Sequence, residues 1–278
     1  MFHSHYQLYQ TCFPGYPLSY EDFCDITDIA NTPVLPEEKD GDKLIGYALG
    51  GNGHVTVLAV DKAYRNRGIG SRLLTQAEAR LTENGADRIV LGRGSSMFQG
   101  APIDADAQDI QSFFEKRGYR SEGVTYNMDI DTADFVYGTH GIPRPENVTY
   151  RFAAATDTDE LLTAVERTDS GWTSLYRDCD DDILLAICDG RIVGFELLGE
   201  YGGIFTQNAH KHGSIGCVGV IPEYRRRGIG LDMTARAVQM LKDRGCDKIQ
   251  LLYLVLDHWY GKLGFYKTST QWMAHKSL

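Results

Sequence analysis

The chain repeats itself at an offset of 160 residues. Val55–Val60, an apolar run with strand-like alternation, leads through a turn into Arg65-Asn-Arg-Gly-Ile-Gly70, and Ile215–Val220 leads in the same register into Arg225-Arg-Arg-Gly-Ile-Gly230. Each Arg-x-x-Gly-x-Gly follows a tyrosine, Tyr64 or Tyr224, and opens a long amphipathic helix pattern. Solenoid units run about 20 to 50 residues, so an offset this long signals duplicated domains. A chain of 278 residues suits two of them, each large enough to bury its own core.

The repeated motif suggests an anion site. Glycines at the end of a strand let the backbone turn sharply and approach a ligand, and the helix that follows presents unpaired N–H groups and the positive end of its dipole. Phosphate and pyrophosphate bind at such places. Arginines just before the glycines add bidentate donors for the same group. One Gly-x-Gly beside basic residues is a weak signal. Two copies, each with the tyrosine in place and apolar residues at helical spacing behind, are a strong one.

Both segments resemble the acetyl-coenzyme A binding motif of the GCN5-related N-acetyltransferases. The second copy continues in that style to Trp259-Tyr-Gly-Lys-Leu-Gly-Phe265 and the first to Phe113-Phe-Glu-Lys-Arg-Gly-Tyr119, so the resemblance covers most of the chain. It implies an α/β fold of two tandem acyltransferase domains, each a mixed, mostly antiparallel sheet flanked by helices. It further implies that Arg225, Arg226, Arg227, Gly228, Ile229 and Gly230 hold the coenzyme pyrophosphate. Val218 and Val220 on the preceding strand would pair their backbone with the pantetheine arm. The matching residues of the first copy are Leu58, Val60, Arg65, Asn66, Arg67, Gly68, Ile69 and Gly70. Acetyl-CoA is the implied cosubstrate, and no metal is expected.

Composition narrows the partners. Formal charge is −10, which disfavours nucleic acid and anionic membranes, although ordinary solubility explains it equally well. Apolar residues at 42% and charged residues at 24% are those of a soluble globular protein. The six cysteines show no Cys-x-x-Cys spacing, and reduced thiols in a cytoplasmic protein are the simplest account. The N-terminus lacks a basic start followed by an apolar stretch, and nowhere do 18 apolar residues run together.

Along the chain, residues 1–132 read as a first domain, 133–147 with Pro143-Arg-Pro145 as a linker, and 148–278 as a second domain. Thr32–Leu35 and Lys43–Leu49 are expected to form a hairpin around a polar turn, Pro36–Asp42. The second domain has its own hairpin around Asp189-Gly190. It also has an opening strand, Thr149–Ala153, with no counterpart in the first. The first copy would then need its sheet edge completed, for which the C-terminal strand is a candidate.

The chemistry separates the copies. Acetyl transfer to an amine requires a neutral nucleophile and a proton for the departing thiolate, and a phenol can hold and protonate that sulfur. The resemblance gives this role to Tyr260, while the matching Phe114 has no proton to give, so the second copy is expected to be the catalyst and the first a degenerate one. Glu196 alternates with Phe195 and Leu197 and is the candidate base, acting on the amine through water. Asp180-Asp-Asp182 and Glu200 are rivals for that role. His210-Lys-His212 lacks a recognisable third ligand and reads as part of a polar lid rather than a metal site. Trp172, Tyr176, Tyr201 and Trp259 are aromatics available to a hydroxylated cationic substrate, or to the core.

The tandem arrangement resembles mycothiol synthase and some amino-sugar acetyltransferases. The loop Gly92–Asp104 with Phe113–Tyr119 looks most like the glucosamine and glucosaminide N-acetyltransferases. The expected activity is N-acetylation of the primary amine of a small substrate such as glucosamine. An aminoglycoside or peptide acetyltransferase, and a coenzyme-binding regulator without turnover, stay open, as does the oligomeric state.

Overall fold

The computed structural model describes all residues except 93–97, 105, 140, 143, 201, 202 and 206–210. In chain order the elements are α1 (His3–Cys12), α2 (Tyr20–Thr27), β1 (Glu37–Asp40), β2 (Lys43–Gly51), β3 (His54–Val60), α3 (Ile69–Glu83), β4 (Arg88–Leu91), β5 (Ala101–Pro102), α4 (Ala107–Glu115) and β6 (Arg120–Asp131). There follow β7 (Val148–Phe152), α5 (Thr158–Thr168), α6 (Thr173–Asp178), β8 (Asp182–Cys188), β9 (Arg191–Gly199), β10 (His212–Val220), α7 (Ile229–Asp243), β11 (Lys248–Leu254), α8 (Asp257–Gly261) and β12 (Tyr266–Ser277). Two compact units result. The first comprises Met1–Tyr126 and Ser269–Leu278, with Ile204 and Phe205; the second comprises Asn127–Gly203 and the residues from the β9–β10 loop to Thr268.

In the first unit the strands run β1-β2-β3-β4-β12. Pairing is antiparallel except between β3 and β4. α3 buries Ile69, Leu73, Leu74, Ala77 and Leu81 at the helical spacing that its sequence displays, against Ile45, Ala48, Val55 and Ile89. A separate cluster joins Leu8 and Tyr9 of α1, Phe23 of α2 and Tyr47, Leu49 and Val57 of β2 and β3. α2 starts where Ser19 caps the Asp22 N–H at 3.0 Å and ends on Asp28 in the left-handed conformation.

The second unit repeats this plan as β11-β10-β9-β8-β7, antiparallel except for β10 with β11. α7 buries Met233, Thr234, Ala237, Val238 and Leu241. The β8–β9 hairpin turns on Asp189 and Gly190, both at positive φ as a two-residue turn of that type requires.

Two expectations need correction. The hairpin partner of β2 is Glu37–Asp40 rather than Thr32–Leu35, because Pro33 and Pro36 remove ladder donors from the apolar segment and leave only a bridge from Val34 to Gly50. The C-terminal strand does enter the first unit, but beside β4 instead of at the open edge. His275, Lys276 and Ser277 face Val90, Ile89 and Arg88. The edge itself is β1, four charged residues long, which is a strand ill-suited to further pairing.

Candidate functional site

Both glycine loops fold alike down to their torsions. A single 3-10 turn, Lys62–Tyr64 or Pro222–Tyr224, leaves the strand, and the first arginine is extended. Asn66 and Arg226 then take φ of 61° and 62°, and Gly68 and Gly228 take 77° and 82°. α3 and α7 begin immediately after. Only the glycine of this pair sits in the left-handed region without strain, which is why the motif keeps it there. Arg65 Nε donates to the Val60 carbonyl at 3.1 Å, and Arg225 Nε to that of Val220 at 2.9 Å. Arg67 and Arg227 lie over the rings of Tyr64 and Tyr224, at 5.2 and 4.7 Å.

This arrangement fits an anionic diphosphate. Arg225, Arg226 and Arg227 are exposed while Ile229 is buried beneath them. The first-turn N–H groups of α7 are therefore left toward the loop, where positive charge and helix dipole act in the same sense. Arg65, Asn66, Arg67 and Ile69 occupy the same positions in the first copy.

The strands leading into the loops are not alike. β10 carries a bulge: Gly216 pairs with Leu197 and Gly219 with Phe195, so Cys217 and Val218 together face Glu196. Cys217 has φ of 49° there, and its carbonyl accepts a 2.7 Å hydrogen bond from the Tyr176 hydroxyl. Bulges of this kind release backbone groups from a ladder and cluster at active sites. β10 also parts from β11 early, since their pairing covers only His212–Ser214 with Lys248–Gln250, whereas the strands run on to Val220 and Leu254. Val218 and Val220 lie on this part of β10. In the first copy Leu58 and Val60 stand in a regular ladder opposite Ala48 and Gly46.

Tyr260 lies on α8, 8% exposed, edge-on to Trp259 and Phe265 at 4.6 and 6.0 Å between ring centres. Its hydroxyl makes no hydrogen bond among the described residues. Burial, then the nearby Glu196 and Cys217, push its pKa above the ordinary phenol value. Phe114, its counterpart, is equally buried in the apolar cluster of the first unit. Glu196 is wholly buried, turned to α7 rather than to open solvent. Thr234 Oγ1 donates to its Oε2 at 3.1 Å, Oε1 has no partner among the described residues, and burial pushes the carboxyl up to about 8.

The remaining candidates scatter. Asp182 and Glu200 both pair with Arg244, at 2.8 and 3.2 Å, which occupies them as structural anions. Asp180 is exposed. Tyr176 is buried beneath the bulge with its ring against Phe195, and Trp172 is half-buried. Tyr201 and His210 lie outside the described residues. His212 is buried, and among the described residues no three ligand-type side chains converge on a possible metal site. Among them, too, no helix is long and apolar enough to cross a membrane. Sequence reasoning missed the bulge, Thr234 and the Tyr176 bond. Only the flanking glycines, Gly216 and Gly219, hinted at an irregular strand.

With this geometry in view, known proteins were compared. A search of curated proteins finds no match. Among solved structures, a GCN5-related glucosamine N-acetyltransferase region of a fungal multi-domain GH3 β-N-acetylglucosaminidase superposes with a TM-score of 0.77 at 23% identity. The match covers 97% of this chain and 36% of that one, so the chain spans about a third of the fungal protein's length. A GCN5-related N-acetyltransferase from Sphaerobacter thermophilus gives 0.75 at 20% identity, over 99% and 91% of the two chains. A tandem GNAT protein from the clavulanic acid biosynthesis pathway gives 0.65 at 12%, over 99% and 94%. These likenesses concern the fold. The model of the acetyltransferase (GNAT) family matches the sequence twice, over residues 2–119 and 149–265, and the chain belongs to that family.

Proposed function

We propose that this protein is an acetyl-CoA-dependent N-acetyltransferase in which the second copy, residues 148–278, acetylates the primary amine of a small substrate, with an amino sugar such as glucosamine as the leading candidate. Family membership supports the reaction class and the use of acetyl-CoA. The observation that carries the choice of copy is Tyr260 against Phe114: two equally buried rings at matching positions, of which only one has a proton to give. The amino-sugar reading draws on the glucosamine N-acetyltransferase region of the fungal protein, and its distance leaves substrate identity to experiment.

In this reading Arg225, Arg226, Arg227, Gly228, Ile229 and Gly230 hold the pyrophosphate, and the bulged strand offers backbone groups at Val218 and Val220 to the pantetheine arm. Acetyl-CoA, once bound, supplies an acetyl thioester. Tyr260 keeps its proton at neutral pH because burial raises its pKa, and gives it to the sulfur as the carbon–sulfur bond breaks. Glu196 is the nearby carboxyl for the proton lost by nitrogen. Residues 1–132 form a degenerate copy that binds the coenzyme through Leu58, Val60, Arg65, Asn66, Arg67, Gly68, Ile69 and Gly70 without turnover.

Thiol release from acetyl-CoA should be measured with glucosamine, an aminoglycoside and a lysine-containing peptide. Release that depends on glucosamine supports the proposal. Release only with one of the others moves the substrate class, and coenzyme binding without release for any amine leaves a sensor in place of an enzyme.

A further inference from the structure

The copies differ at three buried positions together. Thr234 on α7 stands 160 residues after Leu74 on α3. Glu196 follows Phe195, which opposes Gly219, as Ala48 follows Tyr47, which opposes Ala59. Tyr260 matches Phe114. In the first unit Ala48, Leu74 and Phe114 belong to one apolar cluster. In the second, all three positions are polar.

The same framework therefore closes over Ala and Leu, and folding alone does not call for a carboxyl and a hydroxyl there. Burying them is costly, since a carboxyl without full hydrogen bonding loses several kcal/mol of hydration. Glu196 and Thr234 are each 0% exposed, and the Thr234 bond at 3.1 Å leaves Oε1 unsatisfied among the described residues. The carboxyl opposes the Cys217–Val218 bulge, and Glu196 and Cys217 are the two groups whose charges bear on Tyr260. Cost without structural need, beside a candidate proton donor, indicates use.

We propose that Thr234 and Glu196 form a buried proton-holding pair that recharges Tyr260, a reading that rests on Tyr260 being the donor named above. After Tyr260 has given its proton to the sulfur, the Glu196 O–H bond breaks and its proton passes to the phenolate. Thr234, as a positioning residue, stabilises the resulting carboxylate by donating to Oε2. The acetylated nitrogen sheds one proton, which restores Glu196. One N–H is lost, one S–H is gained, and both side chains end as they began. The titratable groups facing Glu196 are Tyr260 from α8, Tyr176 from α6 and Cys217 from β10. Burial raises all three, Cys217 to about 11, so of this set Glu196 is the one that changes charge near neutrality.

The test has a spectroscopic arm and a kinetic arm. Infrared spectra of the ligand-free protein should contain a protonated-carboxyl band that titrates near pH 8, is missing in Glu196→Gln, and titrates at higher pH in Thr234→Val, where the bond favouring the carboxylate is gone. With acetyl-CoA and glucosamine as probes, kcat should fall as pH rises through the same range. That limb should move upward in Thr234→Val and vanish in Glu196→Gln. Glu196→Ala combined with Thr234→Leu, the residues of the first copy, should fold normally by circular dichroism and lose about tenfold or more in kcat with the KM for acetyl-CoA unchanged. A missing band, or one that persists in Glu196→Gln, overturns the pair. An alkaline limb unchanged in Glu196→Gln overturns the relay. If the wild type acetylates no amine, the activity reading falls and the relay with it, and the infrared band separates that result from the absence of a protonated carboxyl.

Discussion

Gly230 stands against Trp259: a methyl group in place of its hydrogen would lie 3.1 Å from Cζ2 of the indole. The first copy preserves the relationship with a looser fit, since a methyl at Gly70 would lie 3.5 Å from Cζ of Phe113. The last glycine of each motif is thus the floor on which the aromatic before Tyr260 or Phe114 rests. It ties the pyrophosphate loop to the short helix that carries the candidate acid.

Gly70→Ala and Gly230→Ala should therefore differ in sign. At Gly70 the methyl makes an ordinary contact and the helix gains about 0.5 to 1 kcal/mol from replacing glycine. At Gly230 the indole has to give way, which offsets that gain and displaces its neighbour Tyr260. Thermal unfolding should show Gly70→Ala at or above wild type and Gly230→Ala below it, with activity lowered only in the second.

The loops themselves are separable by charge. Gly228→Asp puts a side chain at φ of 82° and a carboxylate where the pyrophosphate is proposed to lie. The left-handed backbone alone costs about 1 to 2 kcal/mol, and anion repulsion adds to it, so coenzyme affinity at this site should drop by about tenfold or more. Gly68→Asp, at φ of 77°, should leave most of the turnover intact. Calorimetric titration with acetyl-CoA alongside kinetics checks both. Equal losses from the two substitutions would remove the division of labour between the copies.

What the sequence displays and what it hides follow from the range of the forces involved. The glycine loops, α3, α7 and the Asp189-Gly190 turn are local, written in residues that must adopt left-handed φ or that repeat at helical spacing. β1 is hidden because Glu37-Glu38-Lys39-Asp40 has no apolar face, its partner strand supplying the ladder. The pairing of β12 with β4 joins residues nearly 190 apart, with no local mark on either strand. Alternation sets Glu196 opposite Phe195 and Leu197, but only packing decides that α7 covers its face. The bulge that confronts it depends on β9 and β10 together, so neither strand announces it alone.

The start of the second unit supplies a pH test. Arg151 holds Asp157 in a bidentate pair at 2.6 and 2.7 Å, and the Ala154 N–H donates to the same carboxylate at 2.7 Å. The Arg151 hydrogen bonds, then that of Ala154, lower the Asp157 pKa to about 2. A depressed folded-state pKa contributes stability above the unfolded value, near 4, and loses it as pH falls toward 2. Asp157→Asn should lower the thermal midpoint of the second unit by a few degrees at pH 7, with the difference shrinking between pH 4 and 2. A gap that stays constant over that range would assign the effect to geometry rather than charge.

Tyr260→Phe is the sharpest test of the proposed chemistry, because the protein already contains its own control. Phe114 occupies the matching site at 8% exposure, the same as Tyr260, so loss of the hydroxyl should be tolerated by the packing. That hydroxyl has no hydrogen-bond partner among the described residues, and its removal leaves no orphaned group behind. Turnover should fall by about a hundredfold, the scale of a general-acid contribution, while the KM for acetyl-CoA and the thermal midpoint stay near wild type. Single-turnover measurements are needed so that chemistry, and not product release, sets the observed rate. A variant that keeps more than about half of wild-type turnover under those conditions would place the proton on another donor, since a general acid cannot be removed at so small a cost.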